Sequence, residues 1–111
     1  MTVPKEEKII GFLKIAAKSN GIVYGKIGIR NYLKSNKKKK LILLPIDVGE
    51  RVKKDVLKRC EIFKVSYIEI KKTKYEISKI IGKENISVIG ITNESLAEAI
   101  LGEISDDGGG S

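Results

Sequence analysis

The chain has 111 residues, 41% of them hydrophobic, which suits one folded core without metal or disulfide staples and is too apolar for a disordered chain. Its formal net charge is +8, with no histidine and a single cysteine, Cys60. That excludes an intramolecular disulfide, the commonest general base and the commonest zinc ligand. All 22 Lys and Arg lie at or before Lys83 with 8 of the 14 acids, whereas the other 6 acids follow with no base. A basic body joined to an acidic end leads us to expect a polyanion met by one face.

Taken in order, Pro4 with Glu6 and Glu7 behind it reads as a helix start, and Ile9, Leu13, Ala16 and Ala17 recur at helical spacing. Ser19-Asn20-Gly21 stops that helix, with Gly21 expected as the left-handed cap. A minimal strand over 22–24 leads into a second helix over about 26–35, with Ile29, Tyr32 and Leu33 facing inward. The continuous apolar run 41–46 fits a strand buried on both faces. A third helix over about 49–63 carries the stripe Val52, Val56, Leu57, Cys60 and Phe63, with Arg51, Lys53, Lys54, Lys58 and Arg59 on its other faces. A third strand follows over 65–70. Thr73 and Glu76 then have the spacing of a capping box for a short helix ending at 81. After a polar connector over 82–85, a strand is expected over 86–91. Thr92 or Asn93 then caps a last helix bearing Leu96, Ala97, Ile100, Leu101 and Ile104.

The order α-β-α-β-α-β-α-β-α predicts a three-layer α/β/α sandwich around a four-stranded, mixed sheet. One domain over 1–105 is expected, with 106–111 as a disordered tail. The N-terminus lacks a signal-peptide layout and no apolar run reaches membrane-span length, so we expect a cytoplasmic protein with no membrane partner, monomeric by preference.

Chemistry is sparse. Cys60 sits on an apolar stripe and reads as a packed thiol, and no serine has a histidine partner. Asp47 and Glu50 flank a strand end, but acids in a first helical turn complement its dipole. No catalytic residue, metal ligand or cofactor is expected. The stretch from Val23 to Lys40 is different. Gly25 and Gly28 let backbone approach a ligand, a helix that starts there aims free N–H groups at an anion, and Lys26, Arg30 and Lys37, Lys38, Lys39 and Lys40 add positive charge. Gly25-Lys26-Ile27-Gly28 lacks the ending of a P-loop and the third glycine of a dinucleotide fingerprint. It remains open as a Gly-x-x-Gly backbone clamp, as a strand-to-helix junction facing RNA, or as a tight turn without ligand. The lysine run has its own structural reading, as charge complementing a helix C-terminus.

The succession of helix, short strand, Gly25-opened helix, basic turn, Leu41-Ile-Leu-Leu-Pro-Ile-Asp-Val48 and a lysine-rich helix containing Cys60 resembles the seven-Ae family of large-subunit ribosomal proteins. The later Ile81-Gly-Lys-Glu-Asn-Ile-Ser-Val-Ile-Gly-Ile91 and its following helix are similar to the short bacterial YlxQ-type branch. The resemblance spans roughly residues 9–104. It implies a kink-turn RNA-binding sandwich acting on structured RNA, ribosomal RNA first. In that family a Gly-Thr-Asn-Glu stretch opens the second helix, and the Asn, the Glu and a lysine one turn on read sheared G·A pairs. Matched on the glycine, Gly25 is kept, while Lys26, Ile27, Gly28 and Asn31 replace the other groups. Ile27 and Gly28 cannot hydrogen-bond base edges through side chains. The family's second contact, a loop before the last strand, corresponds to about residues 82–86, where Lys83, Glu84 and Asn85 make it polar. The expected interface is therefore Gly25, Lys26, Ile27, Gly28, Arg30, Asn31, Lys37 to Lys40, Lys83 and Asn85, gripping phosphate more than reading bases. The alternative is a protein-interaction module of the same fold that has lost RNA recognition.

Overall fold

The computed structural model describes residues 4–109. Its elements are α1 (Pro4–Lys18), β1 (Ile22–Tyr24), α2 (Lys26–Lys34), β2 (Leu41–Leu44), α3 (Glu50–Phe63), β3 (Ser66–Glu69), α4 (Lys74–Ile81), β4 (Ile89–Ile91) and α5 (Glu94–Gly109). The strands form one mixed sheet in the order β1-β4-β2-β3, with β4 antiparallel to both β1 and β2, and β3 parallel to β2. This is the three-layer α/β/α arrangement expected from the alternation of elements.

Strand periodicity divides the core into two. Successive side chains of a strand point to opposite faces, so Leu41 and Leu43 join Leu13, Ile77, Ala97 and Ile100 of α1, α4 and α5. Ile42 and Leu44 join Ile29, Tyr32, Leu33, Val56 and Cys60 of α2 and α3. All four β2 side chains are buried, which explains why this strand reads as an unbroken apolar run. Gly90, in the middle of β4, makes room for the Tyr32 ring. A Cβ there would lie 2.7 Å from the ring and 2.8 Å from Val23 Cγ1.

Several boundaries differ from those expected. The left-handed residue ending α1 is Asn20 (φ 58), not Gly21. Asparagine tolerates that conformation, and Gly21 serves close packing instead, since a Cβ on it would meet Asn93 Cβ at 3.1 Å. β2 stops at Leu44 because Pro45 has no N–H to continue the ladder. β3 is confined to Ser66–Glu69, an edge strand with only β2 beside it. Residues 86–88 bury Ile86 and Val88 yet stay outside β4, whose pairings with both β1 and β2 end at Ile89, opposite Tyr24 and Leu43. On α3, Val52 is 44% exposed and Phe63 36%, so only the middle of the expected stripe is core. The capping box of α4 forms, and Asn93 Oδ1 caps α5 by accepting from Leu96 N at 3.1 Å. α5 runs through Gly109, across most of the stretch from 106 expected as tail, while residues 110–111 lie outside those described.

Candidate nucleic-acid interface

Tyr24 and Leu43 both pair with Ile89, so the C-terminal ends of β1 and β2 and the start of β4 share one edge of the sheet. Open α/β sheets offer ligand crevices at such edges. Here the crevice is a groove of about 480 Å³. α2 contributes Gly25, Lys26, Ile29 and Arg30, α3 contributes Arg51, Val52, Asp55, Val56 and Arg59, and the approach to β4 contributes Asn85, Ser87 and Val88.

The groove has an apolar floor and a cationic rim. Ile29, Val56 and Val88 are buried, and Val52 is the half-exposed lip. Lys26, Arg30, Arg51 and Arg59 line the groove with one acid, Asp55, whose carboxylate accepts from Arg59 Nε at 3.2 and 3.3 Å. Arg30 Nε is buried and has no acceptor among the described residues. A buried donor without a partner is uncommon in a folded protein and calls for water or a ligand. Gly25 precedes α2 at φ 86 and ψ 152, a conformation open to glycine and strained for other residues. It supplies no side-chain cap to α2, so the N–H groups of the first turn stay available to an anion.

The residues expected from the sequence do not all meet. Gly25, Lys26, Arg30 and Asn85 line the groove, the last in a left-handed conformation (φ 58). Gly28 packs against β1 instead: a Cβ there would come within 2.8 Å of Val23 Cγ2. Ile27, 74% exposed, and Asn31 lie on α2 outside the groove lining. Lys83 is exposed in the turn after α4, its backbone N–H donating to Ser78 O, and does not line the groove. The lysine run stands at the other end of α2, about 13 Å along the axis for nine residues. Lys40 Nζ donates to Leu33 O and Ser35 O, each at 2.7 Å, closing the C-terminus of that helix, and the Lys38 N–H donates to Glu94 Oε2. From the sequence, Arg51 and Arg59 are expected only among the basic residues on the other faces of α3, and Asp55 is not singled out. Their spacing of four, which sets all three along one face of α3, is the signal that could have found them.

Elsewhere the chemistry is quiet. Cys60 is buried, and burial pushes its thiol up to about 11. Asp47 Oδ1 accepts from Lys74 N at 2.8 Å, which ties it to the start of α4. Among the described residues, no group of three His, Cys, Asp or Glu is placed to hold a metal ion, and no helix is long and apolar enough to cross a membrane.

No family model matches the chain, and neither does any curated protein. Among solved structures it is similar to a protein of unknown function from Bacillus halodurans, with a TM-score of 0.77 and 20% sequence identity over 88% of this chain and 97% of that one. At that identity the likeness extends to the fold alone.

Proposed function

We propose that the protein is a small, non-catalytic, cytoplasmic RNA-binding protein of the kink-turn-binding ribosomal type, which grips structured RNA, with ribosomal RNA the leading candidate. One observation carries this reading. Two segments some sixty residues apart, the Gly25 helix start and residues 85–88, meet in a single groove with four cations and an apolar floor. Phosphates suit the free N–H groups and the guanidinium rim, and the floor accepts the apolar face of a sugar or base. Since Ile27, Gly28 and Asn31 offer none of the usual base-reading groups of the resembled family, recognition rests on RNA shape and is strongly salt-dependent.

A gel shift comparing a kink-turn RNA with the same duplex lacking the kink, over a salt series, tests the reading. Preference for the kinked RNA is expected, and joint replacement Arg30→Gln and Arg51→Gln lowers the salt slope by about two. Absence of binding at low salt, or binding indifferent to the double replacement, overturns it. A second reading, a protein-interaction module of the same fold, is favoured by Ile27, Gly28 and Asn31, which leave the start of α2 without base-reading side chains. Nuclease-resistant capture of a protein partner without any RNA shift would select that reading.

A further inference from the structure

Asp55 presents a problem for a groove that takes a polyanion. It lines the same groove as Lys26, Arg30, Arg51 and Arg59, and a negative charge there opposes the binding of phosphate. Its contact with Arg59 resolves the conflict. Both carboxylate oxygens accept from Nε, at 3.2 and 3.3 Å, across one turn of α3. The Nη1 and Nη2 groups make no hydrogen bond among the described residues. An arginine carries five donors in a planar fork, so holding it by Nε fixes the plane of the guanidinium and leaves the outer pair of donors free. That outer pair is the edge that grips phosphate bidentately. Without a partner, the long side chain would have to give up its rotamer freedom on binding.

We infer that Asp55 is a positioning residue for the RNA interface: it orients Arg59 so that the Nη edge meets a phosphate in the groove. This rests on the RNA-binding reading above and adds to it a residue whose sign opposes the ligand. The orientation gained through Arg59 outweighs the repulsion from the carboxylate.

The prediction runs against simple electrostatics, which makes it testable. Wild-type protein and the variants Asp55→Ala, Asp55→Asn, Arg59→Gln and Asp55→Ala with Arg59→Gln are titrated against a kink-turn RNA over a salt series, after urea unfolding has confirmed that each is folded. Removing a negative charge near a polyanion should tighten binding. Positioning requires the reverse: Asp55→Ala weakens binding roughly two- to fivefold, the range of a partly exposed ion pair, and lowers the salt slope by about one phosphate contact. Asp55→Asn, which keeps a neutral acceptor, falls between wild type and alanine. In the Arg59→Gln background the effect changes sign, because Asp55 then contributes only repulsion. If wild type binds and Asp55→Ala binds equally or more tightly in both backgrounds with its slope unchanged, the role of Asp55 is overturned and RNA binding stands. If wild type shows no salt-dependent binding, the proposed function falls and this role with it.

Discussion

Tyr32 is the residue on which the α2 side of the sheet is most sharply adjusted. Its hydroxyl donates to Ile91 O and accepts from Leu41 N at 2.8 Å, joining the end of β4 to the start of β2 from within the core. The ring fits only because residue 90 is a glycine. Tyr32→Phe keeps the shape and strands a buried N–H and a buried carbonyl, so it should cost about 1–3 kcal/mol in urea unfolding. The same burial sets a pH dependence. Desolvation holds the hydroxyl neutral and raises its pKa from 10.0 to about 12, and desolvation likewise raises Cys60 from 9.0 to about 11. Between those values the folded state keeps protons that the unfolded state has lost, so stability falls as pH rises. The contribution is fully present below about pH 9, declines through pH 9–12, and its Tyr32 share disappears in Tyr32→Phe.

At the scale of elements, α4 shows local sequence deciding local structure. Thr73 Oγ1 accepts from Glu76 N at 3.1 Å, and Glu76 Oε1 accepts from Thr73 N at 2.9 Å. Thr73→Ala should therefore destabilise the protein by about 1 kcal/mol. The bond from the Thr73 N–H holds the Glu76 carboxyl below its usual value, so its contribution is present at neutral pH and lost as pH falls through the lowered folded value. Glu76→Gln retains an acceptor without a titrating group, and its acid unfolding limb should be shallower than that of wild type. This element was legible because Thr-x-x-Glu carries its own hydrogen-bond partners. The last strand was less legible: Ile86 and Val88 alternate like strand residues, but a ladder depends on pairing with neighbours distant in sequence, and the pairings with β1 and β2 both end at Ile89. Val52 and Phe63 continued a helical stripe by periodicity, yet whether a stripe position is core depends on what packs over it. Val52 is left 44% exposed and becomes the lip of the groove.

At the scale of the molecule, nearness along the chain and nearness in space separate the charges differently. Residues 23–40 read as one cationic cradle, but α2 is rigid and sends its two basic groups to opposite ends. Lys26 and Arg30 go to the groove, and Lys37 to Lys40 go to the C-terminal end beside Glu94. The cations that complete the groove come from α3, which no local pattern in residues 23–40 could announce. The two ends should accordingly do different work. Lys37, Lys38 and Lys39 are exposed, so their field extends over roughly a Debye length of about 8 Å at physiological salt and attracts any polyanion without discriminating its shape. Joint replacement of these three lysines by glutamine should weaken kinked and straight RNA by a similar factor, leaving the ratio of the two affinities unchanged in a gel shift. Joint replacement of Arg30 and Arg51 should instead lower that ratio, because a groove built from three segments fits one backbone path and misfits another. A lysine-block variant that loses the preference for kinked RNA, beside an arginine variant that keeps it, would place recognition at the C-terminal end of α2 and leave the groove without a role in it.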